Sequence, residues 1–227
     1  MMKYTGKTVT SHFRGVISFA ILILFLISVS FPAAVSAASK TEGEIKAAMN
    51  KLSKAYKNKD LKGVMAMYAK GSGTIVIGSG KEENAVGHEA IKKLYEKDFT
   101  LWKMNTAMDY KIFSLSSSGK VAWLAADMSA AFITNDGVID VAGRFTAVMK
   151  KTGKNWQFVQ THFSFPADPP QVIVLDFKQL DTNKDGQLDV KELTVIIKGF
   201  TAEDFKKLDT NGDDFLSDEE FRAIWGR

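Results

Sequence analysis

The chain of 227 residues contains no cysteine and only four prolines. The lack of cysteine excludes disulfide bonds, thiolate metal sites and cysteine nucleophiles. Three catalytic patterns are also missing from the sequence: a phosphate-binding glycine loop, an HExxH helix and a GxSxG turn for a serine nucleophile. Folding stability must therefore come from an apolar core and from bound ions, because no covalent cross-link contributes to it.

Charge is distributed unevenly along the chain. Residues 171–227 carry 13 acidic and 8 basic side chains, a net charge of −5, whereas residues 39–170 carry 13 acidic and 19 basic side chains, a net charge of +6. The acidic end suits cation binding, and the basic part is weakly attracted to anionic surfaces. Its lysines are scattered and are not interleaved with aromatic residues, so we expect a solvated face and no nucleic-acid partner.

The N-terminus has the order of a secretory signal peptide. A basic start without acids precedes a predominantly apolar run over residues 16–31, and small residues follow. Val35 and Ala37 suit the −3 and −1 positions of a cleavage site, which predicts a signal peptide over residues 1–37 and export to the periplasm or the extracellular space. The run is short for a membrane span of about 20 residues, but an uncleaved membrane anchor stays open as the alternative.

Two twelve-residue stretches near the end of the chain place oxygen-bearing side chains at loop positions 1, 3, 5, 9 and 12. A tight turn with that spacing can deliver roughly six to eight oxygens to one point, which is the coordination that Ca²⁺ prefers. We therefore predict two calcium sites, with a backbone carbonyl contributed at position 7 of each loop. The predicted ligands are Asp181, Asn183, Asp185, Gln187, Asp189 and Glu192 in the first loop, and Asp209, Asn211, Asp213, Phe215, Ser217 and Glu220 in the second.

The two loops differ at position 6, where the chain turns sharply with a positive φ. Gly186 adopts this conformation without steric cost, whereas Asp214 adopts it at some cost. Ser217 also replaces an acid at position 9, so we expect the second site to bind calcium more weakly than the first. Leu188 and Leu216 stand at position 8, where the two loops are expected to pair.

Apolar residues recur at helical spacing on both sides of each loop. They are Val174, Phe177 and Leu180, then Leu193, Ile196 and Ile197, then Phe205 and Leu208, and finally Phe221, Ile224 and Trp225. Thr201 with Asp204 three residues later is typical of a helix N-cap. Residues 171–227 thus resemble an EF-hand pair, and the resemblance implies calcium binding in the range of extracellular modules, about 10⁻⁴ to 10⁻³ M.

The middle of the chain changes from helical to strand patterning. Helices are predicted over residues 44–56, 61–68 and 88–102, with a strand over 74–78 before the third helix. Four more strands are predicted over residues 108–115, 121–134, 138–150 and 156–164, in a meander. This order predicts an α+β fold, in which helices pack on one face of a strongly bent antiparallel sheet.

Several short phrases of this region occur in the order and spacing of one superfamily. They are Lys59-Asp60-Leu61, Gly87-His88-Glu89, Gly143-Arg144-Phe145, Lys154-Asn155-Trp156 and His162-Phe163-Ser164. Residues 41–166 thereby resemble the SnoaL-like branch of the nuclear transport factor 2-like fold, which implies a cone-shaped domain with an open cup. A stiff linker over residues 167–170, with two prolines, would join this domain to the EF-hand pair. The superfamily contains isomerases, cyclases, dehydratases and proteins without catalysis, so the fold does not give the function.

The cup is the candidate ligand site. The resemblance places the catalytic base of ketosteroid isomerase-type members on Val76 and their donor tyrosine on Leu52, and neither side chain can do that chemistry. We therefore assign no catalytic residue. The candidate pocket residues are Arg144, His162, Asp127, Tyr56 and Trp102. His162 and Asp127 would form a base with its orienting acid if they met; the alternative is a structural Asp127–Arg144 ion pair with His162 at a sheet edge.

The residues favour an exported calcium-binding protein with a cup for a small apolar ligand or a partner. Three other interpretations stay open. One is a calcium-modulated enzyme of the isomerase, cyclase or dehydratase type that acts in the cup. Another is a homodimer formed through the exposed sheet, and a third is calcium that only keeps the end of the chain folded.

Overall fold

The computed structural model describes residues 31–166 and 172–225, with side chains from Lys40 onward. The chain divides into two units, Met1–Ser39 and Lys40–Arg227. Most of the predicted signal peptide, residues 1–30, lies outside the described residues, whereas the predicted cleavage point after Ala37 falls within helix α1 (Phe31–Lys57). In the described part of the chain, no helix is both long enough and apolar enough to cross a membrane.

Helices come first in the chain, long strands follow, and short helices end it. The helices after α1 are α2 (Leu61–Ala66), α3 (His88–Asp98), α4 (Phe177–Leu180), α5 (Val190–Ile196), α6 (Ala202–Leu208) and α7 (Asp218–Trp225). The strands are β1 (Ile75–Ile77), β2 (Asn84–Val86), β3 (Met104–Asn105), β4 (Asp109–Ser118), β5 (Val121–Ile133), β6 (Val138–Thr152), β7 (Asn155–Ser164) and β8 (Val172–Ile173). This order confirms the predicted α+β class.

The long strands β4 to β7 form the antiparallel meander that the sequence predicts. Strand β1 joins the sheet beside β7 in the parallel direction, and β2 pairs with β1. The parallel pair departs from the predicted antiparallel sheet; it is possible because α3 and the meander give the chain the long crossover that parallel neighbours need. Strands β2, β3 and β8 are not predicted, since two or three residues are too few to show a period of two; the equally short β1 is predicted because its three residues are all β-branched.

The sheet curls around α1 and buries one of its faces. Successive residues of a strand point to opposite sides, so alternate residues of β5 enter the core while those between them face outward. The inner residues of β5 are Ala122, Leu124, Ala126, Met128 and Ala130, and they share a buried cluster with Ile45, Met49, Leu52 and Tyr56 of α1. The curled sheet and α1 together form the cup that the resemblance implies.

A bulge in β7 decides which residues of that strand face the core. Phe158 and Gln160 pair with consecutive residues of β6, so Val159 is an extra residue between them. Phe158 and Thr161 are therefore both buried although they lie three positions apart. His162 consequently turns to the outer face of the sheet.

The C-terminal helices α4 to α7 form a second buried cluster that includes one end of the sheet. Ala131 and Ile133 of β5 and Val138 of β6 belong to it, and all three are fully buried. These residues lie on the outer face, next to the turn between β5 and β6. Strand β8 pairs with the same end of β6, so the C-terminal helices are docked on the sheet by both apolar contacts and backbone hydrogen bonds.

Helix α3 ends at Asp98, four residues before the predicted end at Trp102. The backbone N–H of Phe99 still makes a helical bond to Tyr95, but those of Thr100 and Leu101 donate to carbonyls only three residues back, so the last turn tightens and the helix ends. Trp102 leaves the helix axis because its ring packs inward, and the next residue, Lys103, starts the approach to β5 by donating its N–H to Ile133.

Two of the apolar flanking residues do not face the core as predicted. Val174 is 55% exposed, and its neighbour Leu175 is buried in its place. Ile196 is 38% exposed because α5 is only seven residues long and ends there. Of the flanking set, Leu180, Leu193, Ile197, Phe205, Leu208, Phe221 and Trp225 are buried.

Candidate metal loops and cup

The first loop wraps around the carboxylate of Asp181. Its two oxygens accept hydrogen bonds from the backbone N–H of Asp185 at 3.1 Å and of Gly186 at 3.0 Å. Gly186 has φ = 84°, the left-handed conformation predicted for position 6 of the loop. The turn is therefore held by backbone N–H groups that donate to the side-chain carboxylate of the first predicted ligand.

Side chains of the other predicted ligands hold the rest of this loop. Asn183 Oδ1 accepts the N–H of Asp185 at 2.9 Å, and Asp185 Oδ1 accepts the N–H of Gln187 at 2.9 Å. Asp189 caps α5 by accepting the N–H of Glu192 at 2.9 Å. Each of these oxygens keeps further lone pairs, so the hydrogen bonds orient the donors without using up their capacity.

Glu192 closes the first loop from its position in the first turn of α5. Glu192 is only 8% exposed. One carboxylate oxygen accepts the N–H and the hydroxyl of Thr182 at 2.9 and 3.0 Å, and the other accepts the N–H of Asp189 at 3.0 Å. Position 12 thus links the start of the loop to its end.

The second loop repeats this arrangement. Asp209 accepts the N–H of Asp214 at 2.9 Å, and Asp214 has φ = 66°, so an aspartate takes the conformation that glycine takes in the first loop. Asn211 Oδ1 and Asp213 Oδ1 accept the N–H groups of Asp213 and Phe215, respectively. The turn forms in spite of the missing glycine.

Glu220 occupies the closing position of the second loop. Its carboxylate accepts the N–H and hydroxyl of Thr210 at 2.9 and 2.8 Å, and the N–H and hydroxyl of Ser217 at 3.0 and 2.9 Å. Burial raises the pKa of Glu220, but the hydrogen bonds from Ser217 and Thr210 outweigh burial and lower the pKa to about 2. The carboxylate is therefore ionised at any physiological pH.

The two loops are joined back to back by their position-8 residues. Leu188 N donates to Leu216 O at 3.0 Å and Leu216 N donates to Leu188 O at 2.8 Å, which is the predicted pairing. Both leucine side chains are completely buried. The two loops thus share a short two-stranded bridge with an apolar centre.

The donor set of both loops fits Ca²⁺. Every predicted donor is an oxygen, and calcium takes carboxylate, amide and backbone carbonyl oxygens, whereas nitrogen and sulfur suit zinc. Among the described residues, no three acidic or histidine side chains converge on one point, because Glu192 and Glu220 are turned toward backbone N–H groups. Metal binding would require these two carboxylates to share their oxygens with the ion.

The candidate pocket residues do not meet in one place. Tyr56 and Trp102 are buried inside the cup, with ring centroids 5.6 Å apart. Asp127, Arg144 and His162 lie instead on the outer face of the sheet. The prediction of one shared pocket is therefore wrong, because the pleat of β5 and β6 and the bulge in β7 direct the three polar side chains away from the cup.

The predicted pairings on that outer face are also not formed. Asp127 and Arg144 are direct cross-strand neighbours, yet no ion pair joins them in the described part of the chain. His162 is opposite Thr146 on β6, so a whole strand separates it from Asp127. Asp127 and Arg144 line a groove of about 410 Å³ together with Asp109, Lys111, Pro166 and Lys198.

Aromatic rings contact one another inside the cup. Tyr56 contacts Phe99, Trp102 and Phe132 with centroid distances of 5.3, 5.6 and 6.3 Å. Trp102 and Phe132 contact each other at 5.7 Å. We call Tyr56, Trp102 and Phe132 the cup triad. Leu52 and Val76, the isomerase-type positions, are apolar and buried in the same core.

The polar partners of the predicted pocket residue Tyr56 and its neighbours inside the cup were not identified from the sequence. Tyr56 donates its hydroxyl to Asp98, and the hydroxyls of Tyr68 and Tyr95 lie 2.6 Å apart, with Thr161 Oγ1 at 3.3 Å from Tyr68. No sequence motif marks these contacts, because they join residues of α1, α3, β7 and the segment after α2 that only the fold brings together.

Burial sets the protonation of these groups. Desolvation raises the pKa of Asp98, and the hydrogen bond from Tyr56 opposes that rise. Desolvation, together with the nearby charge of Asp98, raises the pKa of Tyr56 above its usual range. Tyr56 therefore remains a hydrogen-bond donor, and Asp98 is the carboxylate that accepts from the cup triad.

Two regions of the chain match known protein families. A family model described as a SnoaL-like domain matches residues 45–168, and a model described as an EF hand matches residues 174–197 and 202–225. No curated protein matches the chain.

Several solved structures are similar to the first of these regions. A protein from Novosphingobium aromaticivorans provisionally named an aromatic ring hydroxylase has 19% identity and a TM-score of 0.53, over 60% of this chain and 94% of its own. A provisionally named scytalone dehydratase from the same organism has 14% identity and a TM-score of 0.52, over 61% and 93%.

A nuclear transport factor 2-like superfamily protein from Salmonella enterica serovar Typhimurium has 17% identity and a TM-score of 0.51, over 57% of this chain and 94% of its own. All three identities are below 20%, so these likenesses establish the fold alone.

Proposed function

This chain belongs to the SnoaL-like domain family and carries an EF-hand pair behind that domain; we propose that it acts as an exported calcium-binding protein whose cup accepts a small apolar ligand. The observation that carries the calcium proposal is the joined pair of loops. Each loop is turned around its first aspartate with a positive φ at position 6, and the Leu188–Leu216 bridge links the two.

The calcium ligands we propose are the twelve residues predicted from the loop spacing. Asp181 and Asp209 would bind from the start of each loop, Gln187 and Phe215 through backbone carbonyls, and Glu192 and Glu220 with both carboxylate oxygens. Bound calcium would stabilise the folded C-terminal helices by mass action, since the unfolded loops have no organised donor set.

Calorimetric titration of the purified protein with CaCl₂ tests this proposal. We expect two sites with dissociation constants of about 10⁻⁴ to 10⁻³ M, and much weaker heats with MgCl₂ because magnesium demands a rigid octahedral site. Absence of calcium-dependent heat up to about ten times that range would refute the proposal.

Export follows from the basic start and apolar run of residues 1–31. N-terminal sequencing of the protein recovered from outside the cytoplasm should give Ala38 as the first residue. A protein that keeps its first residues and sediments with membranes would support the uncleaved anchor instead, and a protein found only in the cytoplasm would contradict export.

Ligand binding in the cup is supported by the few polar groups set among aromatic rings, an arrangement typical of small-molecule sites. Asp98 with Tyr56 would recognise a hydroxyl or carbonyl group on an otherwise apolar molecule. A thermal-shift screen of small aromatic and terpenoid alcohols and ketones should find stabilising compounds whose effect is lost in Asp98→Asn. The enzyme alternative would require turnover of such a compound, with Asp98 as the acid or base.

Self-association through the sheet is a second candidate function. Trp123 and Val121 are 46% and 42% exposed on the outer face, two positions apart on β5, and contiguous exposed apolar patches mark association surfaces. Light scattering should give the mass of a dimer that falls to a monomer in Trp123→Glu. Leu101→Glu is the matched control, because Leu101 is 62% exposed but lies outside the sheet.

A further inference from the structure

We propose that calcium at the second EF-hand loop, and not at the first, is transmitted to the cup through three pairs of adjacent residues. In each pair, one residue belongs to the cup triad and its chain neighbour contacts the C-terminal helices. The inference rests on the proposed calcium function and adds to it a route and a choice of site.

The first pair is Tyr56 and Lys57 at the end of α1. Tyr56 contacts both other members of the cup triad. Lys57 Nζ lies 2.7 Å from the carboxylate of Asp204 on α6. The Asp204 side chain is completely buried, and it also accepts the hydroxyl of Thr201 at 2.7 Å in the cap of α6. Movement of α6 therefore moves the end of α1.

The second pair is Trp102 and Lys103, in the segment that follows α3. Trp102 belongs to the cup triad, and Lys103 Nζ donates to the backbone carbonyl of Ile224 in α7. This contact reaches the last turn of the helix that leaves the second loop. It attaches the cup to a second point of the same EF-hand.

The third pair is Phe132 and Ile133 in β5. Because strand residues alternate in direction, Phe132 packs in the cup cluster while Ile133 is fully buried among the C-terminal helices. Ala131, on the other side of Phe132, is also fully buried there. One short stretch of strand is thus shared by the two cores.

The two polar contacts of this route both belong to the second EF-hand. Asp204 is on α6, which leads into the loop at Asp209, and Ile224 is on α7, which leaves the loop after Glu220. Helices α4 and α5, which flank the first loop, make no corresponding side-chain hydrogen bond to the cup triad's neighbours among the described residues. The second loop is therefore clamped to the cup at both of its ends.

The direction of the coupling follows from the docked geometry. In the docked state the second loop already has its left-handed turn at Asp214 and its closing glutamate over Thr210. An ion that binds this loop shape stabilises the position of α6 and α7, and hence the contacts to Lys57 and Lys103. By reciprocity, a weaker contact at Lys57 must weaken calcium binding at the second site.

Hydrogen exchange on the wild-type protein, in excess calcium and in chelator, tests the route. We expect slower exchange with calcium in peptides covering residues 52–60 and 99–106, and the same response in Glu192→Gln. The response should be lost in Glu220→Gln. Tryptophan emission of a variant that keeps only Trp102 provides a second readout, which should change at the calcium concentrations that fill the second site.

Calorimetry on a pair of lysine variants tests reciprocity. Lys57→Met should weaken the second site about fivefold or more, the lower range of allosteric coupling. Lys151→Met is the matched control, because it breaks the Lys151–Glu44 ion pair of the same α1 without touching the C-terminal helices.

The outcomes separate the two proposals. Two calorimetric sites without any change in residues 52–60 and 99–106 would overturn the route and leave calcium binding intact. An equal response in the Glu192 and Glu220 variants would overturn the choice of the second site. Absence of calcium heat in the wild type would overturn the calcium function itself, and the inference with it.

Discussion

Lys57 Nζ, at the C-terminal end of α1, lies 2.7 Å from the Asp204 carboxylate of α6, which is 147 residues further along the chain. The lysine side chain is 13% exposed and the aspartate side chain is not exposed at all. Burial raises the pKa of Asp204, but the hydrogen bonds from Lys57 and Thr201 outweigh it and leave the pKa below its ordinary value. The pair joins the SnoaL-like domain to the EF-hand pair.

The pH dependence of stability should report this ion pair. Because the folded state lowers the pKa of Asp204, its contribution to the free energy of unfolding is present above the ordinary aspartate pKa of about 3.9 and is lost as the pH falls below it. Asp204→Asn should lower the free energy of unfolding by about 3 kcal/mol at pH 7, since it leaves Lys57 buried without its partner.

Denaturant titrations in chelator at pH 7 and at pH 3 measure the free energy of unfolding of both proteins. The difference between wild type and Asp204→Asn should be smaller at pH 3. Asp218→Asn is the control, because it removes an exposed pair with Arg222 and should change stability by less than about 1 kcal/mol. An equal loss of unfolding free energy in Asp204→Asn at both pH values would contradict the assignment of this pH dependence to the Lys57–Asp204 ion pair.

A reciprocal exchange at position 6 of the loops should test backbone strain. Asp214→Gly replaces an aspartate at φ = 66° and should strengthen the second calcium site severalfold, because glycine adopts this conformation freely. Gly186→Asp should weaken the first site by a similar factor. A Cβ added at Gly186 meets no atom within 4 Å, so the substitution introduces strain without a steric clash.

Site-resolved calcium titration by nuclear magnetic resonance measures both sites in both variants. If Asp214→Gly left the second site unchanged, the weaker binding that we predict for this loop could not come from its turn. The remaining difference, Ser217 in place of an acid, would then be the cause.

Removal of one carboxylate oxygen at position 12 should weaken each calcium site separately. Glu192→Gln should weaken the first site, and Glu220→Gln the second, by about tenfold or more, because a bidentate carboxylate is replaced by a neutral amide. Calorimetry would detect the loss of one of two sites in each variant.

Glu203→Gln is the matched control for these variants. It makes the same chemical change on an exposed residue of α6 outside both loops, and calcium binding should stay as in the wild type. Undiminished binding in the double variant of Glu192 and Glu220 would refute the ligand assignment.

The hydroxyl groups of Tyr56 and Tyr110 should contribute different amounts to the free energy of unfolding. Tyr56→Phe leaves the half-buried Asp98 without its donor and should cost about 1 to 3 kcal/mol of unfolding free energy. Tyr110→Phe is the comparison, because the Tyr110 hydroxyl donates to the sulfur of Met108 at 3.3 Å, a weak acceptor, and its removal should cost less than about 1 kcal/mol. Chemical denaturation of both variants in saturating calcium tests the order; equal losses would show that the Tyr56–Asp98 contact has no special role.

The meander of β4 to β7 could be predicted from the sequence because long strands repeat their apolar pattern many times and the turns between them are rich in glycine, asparagine and aspartate. The same reasoning missed β2, β3 and β8, whose two or three residues show no period. It also extended α3 to Trp102, since an aromatic residue in register with a helical stripe has the same pattern whether or not the helix continues.

The pocket prediction was wrong for a different reason. Asp127, Arg144 and His162 were correctly assigned to strands, but their side of the sheet depends on the pleat and, for His162, on the extra residue at Val159. A shift of one residue reverses every side chain of a strand. Asp98 and Tyr68 were missed because nothing in their local sequence distinguishes a cup residue from a surface residue.

The sequence by itself determined the features that depend on short, regular spacing. These are the two oxygen-bearing loops, the position of their sharp turns, the order of helices and strands, and the absence of covalent cross-links. Tertiary structure decided which polar groups meet. The Lys57–Asp204 pair, the Tyr56–Asp98 contact and the docking of the C-terminal helices on Ala131, Ile133 and Val138 join residues far apart in the chain. Contacts of this kind depend on how complete elements pack, and local spacing carries no information about that packing.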